Sequence, residues 1–259
     1  MKKMPVMFVG HGSPMNVVEK NRFTEGWKKM AGLLPRPAAV LCVSAHWYGD
    51  GTSVSAAEKP GTIYDFYGFP RQLYEIAYPA PGAPELAGRT AELLGAESTY
   101  LDPERGLDHG AWSVLHFMYP QADVPVCQLS IDAHLTPQQS YETGKKLRPL
   151  RDEGILILGS GDVVHNLARL DWNMSGGYPW ADEFDAYIKS ALLEGRHDDV
   201  VHYGRGGTAA GLAFTHRDHY DPLLYALGAV EEGEKVDVHN DERLMGSLSM
   251  TSYLFGNQP

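Results

Sequence analysis

Three things are scarce in this sequence: cysteine, long apolar runs and positive charge. Only two cysteines, Cys42 and Cys127, occur among 259 residues. Both stand in apolar, strand-like runs, so we expect small buried side chains and no disulfide. No apolar run approaches the roughly 18 residues of a membrane-spanning helix. The first apolar run, Val6–Val9, falls short of the about 7–15 residues of a signal-peptide core, so we expect a cytoplasmic protein.

The charge balance and the missing motifs narrow the function classes further. The formal net charge of −11 disfavours nucleic acid or an anionic membrane as a partner, because phosphates repel an acidic surface. No Gly-x-Ser-x-Gly elbow, Walker A loop or dinucleotide fingerprint is present. Neither cysteine has a histidine in an obvious pairing context, which disfavours a cysteine nucleophile. Against this background, eleven histidines are the outlier.

The apolar pattern predicts a single α/β domain over residues 1–259. Four short runs are rich in Val, Ile and Leu without alternation, which is typical of strands covered on both faces. Amphipathic helical stretches separate them, so we predict a mainly parallel central sheet with helices on both faces. A last apolar segment, Ser247–Phe255, is predicted to add an edge strand. The four predicted strands are Pro5–Val9, Ala38–Val43, Val124–Leu129 and Gly154–Leu158.

Three histidines follow predicted strands, namely His11, His46 and His165. Ligands of open α/β sheets bind beyond the carboxyl ends of the strands, which parallel strands place at one edge. Three imidazoles there can converge on one ion, for which zinc needs nitrogens at about 2.0–2.1 Å. A lone histidine after a strand is more often structural, but three at equivalent positions favour a metal or acid/base cluster.

Two further histidines precede predicted helices. His109 follows Asp108, for which helix capping is the expected role. His219 stands in the segment Asp218–Tyr220, and neither histidine is specific by itself. The loop between Ala56 and Pro84 carries interleaved rings, so we expect it to pack on the body or to line a pocket.

These segments together resemble the class III extradiol ring-cleaving dioxygenases of the LigB-like superfamily, and within it the 4,5-DOPA dioxygenase group. They occur in the family's order and extend over almost the whole chain. The carrying segments are Gly10–Met15, Ser44–Trp47, Ile63–Pro70, Tyr78–Gly82, Asp108–Gly110, Gly159–Asn166, Asp218–Tyr220 and Met245–Met250.

The resemblance implies a role for each of the five histidines. His11 and His46 match metal-binding histidines, and His219 matches the histidine that completes the site. His165 matches an acid/base residue that in some members lies near enough to be a fourth ligand. His109 matches a substrate-side histidine. The better-known class III enzymes use two histidines and a glutamate, so a third histidine here makes a less anionic site.

The resemblance also implies the reaction: extradiol cleavage of a catechol such as DOPA, with insertion of both atoms of O2. Such chemistry needs Fe2+ with open coordination positions. Zn2+ fits a histidine site by geometry but is redox-inert. Tyr64, Phe66 and Phe69 are expected to wall the substrate pocket. Two other interpretations stay open at this point, a zinc-dependent hydrolase and a non-catalytic LigB-like binding protein.

Overall fold

The computed structural model describes residues 3–256. Its strands are β1 (Val6–Gly10), β2 (Ala39–Gly49), β3 (Thr52–Ser55), β4 (Thr99–Asp102), β5 (Val126–Asp132), β6 (Ile155–Gly161), β7 (Val236–His239), β8 (Arg243–Leu244), β9 (Leu248–Ser249) and β10 (Ser252–Phe255). Eight of them form one sheet in the order β4-β3-β5-β2-β6-β1-β10-β7, and β8 pairs with β9 in a separate two-stranded sheet.

The centre of the large sheet is parallel. Strand β2 pairs with both β5 and β6, and β6 pairs with β1, all in parallel register. The α/β prediction is therefore confirmed, and the carboxyl ends of these strands meet at one edge. The strands run further than predicted, however. Strand β2 continues past Val43 to Gly49, and its pairing with β5 shifts between Val43 and Tyr48. His46 therefore lies within β2 at an irregularity, a feature that re-aims side chains, and not after the strand.

The last apolar segment does form a strand. Strand β10 pairs antiparallel with β1 on one side and with β7 on the other. It therefore lies one position inside the sheet, and β7 occupies the edge. The half-buried residues of β7, Val236–His239, give a weak apolar pattern that does not reveal this outer strand.

Helices cover both faces of the sheet. Alternate residues of β2 point into two separate cores: Leu41 belongs to the core that contains the helix residue Phe184, whereas Cys42 belongs to the core that contains Trp27 and Trp112. This two-sided burial explains why the strands read as continuous apolar runs. The helices are α1 (Arg22–Gly32), α2 (Pro84–Leu94), α3 (His109–Met118), α4 (Pro137–Lys146), α5 (Pro149–Asp152), α6 (Pro179–Leu193), α7 (His197–Val201), α8 (Gly207–Ala213) and α9 (Asp221–Ala229).

Two expectations about burial and membranes can be compared with the structure. Both cysteines are buried and carry free thiols. Among the helices of residues 3–256, none has the length and apolar character required to cross a membrane.

Candidate active site

Five histidines converge at the carboxyl edge of the sheet. His11 directly follows β1, and His46 projects from the irregular part of β2. His109 is the first residue of α3, and His219 lies two residues before α9. His165 follows β6, where its backbone N–H donates to the Ala213 carbonyl at 2.8 Å. All five histidines predicted from the sequence are thus brought together. His11, His109 and His219 are 5% exposed or less, and all except His11 border the same cavity.

The ring of His11 is held by a directed hydrogen-bond chain. Its Nδ1 lies 3.0 Å from the hydroxyl oxygen of Ser160, which donates its own proton to the Gly110 carbonyl at 2.6 Å. Because that hydroxyl proton is engaged, Ser160 accepts from the Nδ1–H of His11. The Nε2 lone pair of His11 is therefore free, and it lies 3.2 Å from His46 Nε2.

Asp65 holds two of the histidines at once. Its Oδ2 lies 3.1 Å from His46 Nδ1 and 2.9 Å from His109 Nδ1, and its Oδ1 accepts the backbone N–H of His109 at 2.9 Å. Burial opposes ionisation of Asp65, but the hydrogen bonds from His109 and His46 outweigh it and hold its pKa well below the usual range. An ionised carboxylate only accepts, so both imidazoles carry their proton on Nδ1 and present a free Nε2.

His219 and His165 differ in their partners. His219 Nδ1 lies 3.0 Å from Asp218 Oδ1, which again leaves Nε2 free. The rings of His165 and His219 are stacked, with centroids 3.4 Å apart and planes within 3° of parallel. No hydrogen bond to the ring nitrogens of His165 occurs within residues 3–256. His165 therefore offers both ring nitrogens to a ligand in the cavity.

Burial lowers the pKa of four of these imidazoles. It is the first cause of the lowered pKa of His11 and of His219, and repulsion between neighbouring imidazoles adds to it. Burial also lowers the pKa of His109, although Asp65 opposes the shift, and it lowers the pKa of His165 to about 4. At neutral pH these imidazoles carry no charge, which is the form that binds metals.

The ring positions fit one metal ion. Imidazoles that bind a tetrahedral ion at about 2.0–2.1 Å have ring centroids about 5.2 Å apart, and in an octahedral site about 4.5 Å apart. His11, His46 and His219 have centroids 5.0, 5.2 and 5.0 Å apart. The pairs His46–His109 at 3.8 Å and His165–His219 at 3.4 Å are closer than either spacing. The ligand atoms of His165, Asp218 and His219 nevertheless lie within 4.8 Å of one another.

A buried carboxylate that the sequence did not single out lies beside these rings. Asp162 follows β6 and is 0% exposed. The ligand atoms of His11, Asp162 and His219 lie within 4.8 Å of one another, as do those of His11, His46 and His109. Burial raises the pKa of the Asp162 carboxyl well above its usual value, and the Gly12 N–H opposes this shift.

A cavity of about 520 Å³ opens over the histidines. Phe66 and Phe69 line it, as expected for the aromatic loop, and so does the exposed ring of Trp172. Tyr64 does not border the cavity. Its ring packs against Phe66 and Trp112, and its hydroxyl donates to the Ile76 carbonyl at 2.8 Å. His11 belongs to the cluster but does not line the cavity. The six histidines that belong to neither are His116, His134, His197, His202, His216 and His239.

Comparisons with known proteins show which family the chain belongs to. The family model described as the catalytic LigB subunit of aromatic ring-opening dioxygenase matches residues 5–256. The chain is 48% identical to a 4,5-DOPA dioxygenase extradiol from Escherichia coli K12, over 98% of this chain and 95% of the relative. It is 41% identical to a protein of the same name from Beta vulgaris, over 96% and 95% of the two chains.

A solved structure shows the same fold. It is the crystal structure of an uncharacterized protein from Escherichia coli K12, with a TM-score of 0.85 and 44% identity. The match covers 98% of this chain and all (100%) of that one. The chain belongs to the LigB family. The predicted identity as an aromatic ring-opening dioxygenase is confirmed, and the family implies a bound metal, a small aromatic substrate and O2.

Three residues near the histidines, Asp65, Asp162 and Trp172, are not predicted as site residues from the sequence. Asp65 stands inside the aromatic run Ile63–Pro70, whose rings, and not its carboxylate, predict a pocket. Asp162 stands inside Gly159–Asn166, where the sequence indicates only His165 as a site residue. An acidic residue inside a motif that already carries a candidate histidine was the available signal. No sequence signal places Trp172 near the LigB-like site.

Proposed function

We propose that this chain cleaves catecholic rings in the extradiol manner, with insertion of both atoms of O2, at a metal held by His11, His46 and His219. The observation that carries the ligand assignment is their mutual ring spacing of 5.0–5.2 Å. Each ring also uses Nδ1 on an oxygen partner, which leaves Nε2 for the ion. Bound Fe2+ supplies the redox chemistry that O2 requires, whereas Zn2+, although it suits the ligands, is redox-inert.

His165 is proposed as the acid/base residue and not as a fourth ligand. It borders the cavity, and its ring is stacked on that of His219 with centroids 3.4 Å apart, closer than the spacing of about 4.5–5.2 Å for two imidazole ligands of one ion. Its ring nitrogens are free to take a catechol proton and to return it later. His109 has its proton fixed on Nδ1 by Asp65, so its Nε2 accepts a hydrogen bond from a substrate hydroxyl.

The cavity wall supports an aromatic substrate. Phe66 and Phe69 contact each other edge to face at 5.4 Å, and the Phe66 ring meets His109 at 5.5 Å. These rings bring apolar surface directly to the histidine cluster, where a catechol ring packs and water is excluded. Tyr64, predicted to touch substrate, packs edge to face against the ring of Phe66.

Reconstitution with Fe2+ tests the reaction. The protein is loaded with Fe2+ under nitrogen and then given L-DOPA and air, while O2 uptake and a yellow ring-fission chromophore are followed. We expect one O2 consumed for each DOPA with Fe2+, and no uptake with Zn2+. Absence of O2 uptake with DOPA, catechol, protocatechuate and caffeate would contradict the proposal. Turnover of substrate with Zn2+ under nitrogen would point to a hydrolase instead.

His165→Ala tests the separation between ligand and acid/base roles. We expect Fe2+ affinity close to that of the unmodified protein and turnover lower by about 100- to 10,000-fold, the usual contribution of acid/base catalysis. His202→Ala, a half-exposed histidine outside the cavity, is the matched control and should keep full turnover. Loss of the metal from His165→Ala would move His165 into the ligand set.

A further inference from the structure

Asp162 is a buried carboxylate with one oxygen left without a partner. Its Oδ1 accepts the backbone N–H of Gly12 at 3.1 Å. Its Oδ2 is buried and accepts no hydrogen bond within residues 3–256. His11 Nε2 lies 3.9 Å from this oxygen, beyond hydrogen-bond distance. Within residues 3–256, no lysine or arginine side chain pairs with the Asp162 carboxyl.

The surrounding backbone fixes where this oxygen lies. The N–H of Asp162 donates to the His219 carbonyl at 2.9 Å, and the N–H of His11 donates to the Gly161 carbonyl at 3.0 Å. Gly12 adopts a positive φ of 58°, which glycine tolerates, and this turn directs its N–H at Asp162. The three segments that carry His11, Asp162 and His219 are thus bonded to one another, and a carboxylate oxygen of Asp162 lies within 4.8 Å of a ring nitrogen of each histidine.

A carboxylate in this position costs free energy unless a cation compensates it. A buried unpaired charge is strongly unfavourable, and a bound metal ion is one of the accepted remedies. Two histidines and one carboxylate on a common face are also the typical ligand set of non-haem Fe(II) oxygenases. His11, Asp162 and His219 form such a set, with ligand atoms within 4.8 Å of one another.

We propose that Asp162 binds the metal ion through Oδ2, as a carboxylate ligand beside the histidines. The proposal rests on the proposed function only in taking His11 and His219 as ligands. It reverses the expectation of a less anionic site, because one carboxylate offsets half of the charge of a divalent ion. A hard oxygen ligand among the imidazoles also favours Fe2+ over a site of imidazoles alone.

Asp162→Asn tests the proposal through metal binding, independently of turnover. Affinities for Fe2+ and Zn2+ are measured by chelator competition, and the visible spectrum of the Co2+-loaded protein reports the ligand set. We expect a loss of at least about 100-fold in affinity, because removal of mere supporting groups already costs about 10- to 100-fold. The Co2+ absorption bands should change as well.

Asp185→Asn is the matched control. Asp185 is equally buried but lies in α6 and is not part of the cavity. We expect it to lower stability while it keeps the affinity for both ions and the Co2+ spectrum. A comparable loss of affinity in this control would show that the effect of Asp162→Asn comes from general destabilisation, and would overturn the proposal.

A measurement on the unmodified protein covers the case in which Asp162→Asn does not fold. Infrared difference spectra with and without Zn2+ should show a shifted carboxylate stretching band. Absence of that shift, or a folded Asp162→Asn with unchanged affinity and Co2+ spectrum, would overturn the inference and leave the histidine site standing. If the unmodified protein binds neither Fe2+ nor Zn2+, the proposed function fails together with it.

Discussion

Asp162 and Asp185 are both completely buried, yet their surroundings differ. Asp185 accepts hydrogen bonds from the hydroxyls of Ser249 and Thr251, and it pairs with Arg243 at 3.0 Å. Both of its oxygens are occupied. Asp162 has one oxygen bonded to a backbone N–H and one without a partner. A polar group that serves the fold is fully satisfied by the protein, whereas one that serves a ligand keeps an atom free for it.

Arg243→Ala should remove the cationic partner of Asp185 and have the largest effect on stability. Arg243 also bonds Asp182 and Asp241, each at 2.8 Å, so its loss leaves Asp185 without a cation. Breaking a buried ion pair costs about 3–5 kcal/mol, which urea denaturation would measure. The affinity for Fe2+ should stay unchanged.

Arg71→Ala is the control for that prediction. Arg71 is 92% exposed at its side chain and pairs with Glu75 on the surface. Such a pair contributes about 0–1 kcal/mol. If the two variants lost equal stability, the cluster around Asp185 would be no more than a surface ion pair, and the comparison with Asp162 would fail.

Asp65→Asn should lower turnover, although less than His165→Ala does. Asp65 accepts from three N–H groups, His46 Nδ1–H, His109 Nδ1–H and the His109 backbone N–H, through two oxygens. The amide has one acceptor oxygen and an NH2 donor in place of the other, so at least one of these N–H groups loses its partner. Supporting partners of metal-bound histidines contribute about 10- to 100-fold, and we expect turnover of DOPA to fall by that factor. Folding stability should change much less.

An exposed pair of the same chemistry provides the control for Asp65→Asn. Asp50 lies 2.9 Å from His134 Nε2 on the surface, far less enclosed than Asp65. Asp50→Asn should leave both kcat and KM unchanged. Equal turnover of Asp65→Asn and the unmodified protein in an O2-uptake assay would show that Asp65 does not position the histidines.

The comparison of buried carboxylates also explains what the sequence could and could not predict. Apolar runs predicted the four central strands, since burial on both faces leaves a direct mark on composition. Strand ends predicted His11 as a site residue. Single carboxylates such as Asp65 and Asp162 leave no periodic mark, because their roles depend on which atoms around them are satisfied. His46 was placed after its strand because the irregularity in β2 is a property of pairing, which no local pattern records.

Trp172→Ala should affect substrate binding more than chemistry. The ring borders the cavity but is 72% exposed, so its removal costs little stability. We expect the KM for DOPA to rise by about 3- to 10-fold with kcat nearly unchanged, as for loss of a contact made equally in ground and transition states. Tyr100→Ala, an exposed ring outside the cavity, should leave KM unchanged. A fall in kcat at constant KM would contradict a role at the cavity rim.

The ion pair between Arg151 and Glu234, remote from the cavity, should make the free energy of unfolding depend on pH in acid. Arg151 donates to both oxygens of Glu234, at 2.6 and 2.7 Å, and to the carbonyls of Met4 and Ala229. Burial acts to raise the pKa of Glu234, but the bonds from Arg151 outweigh it and lower the pKa overall. A carboxyl whose pKa is lower in the folded state adds stability above its unfolded pKa of about 4.3, and this stability is lost as pH falls through the folded value.

Glu234→Gln removes that dependence on pH. The free energy of unfolding of the variant should therefore fall less than that of the unmodified protein as the pH drops from about 5 towards 3. Parallel acid unfolding curves for the two proteins would show that Arg151 does not lower the pKa of Glu234 in the folded state. A fully hydrogen-bonded carboxylate would then have no effect on how stability depends on pH.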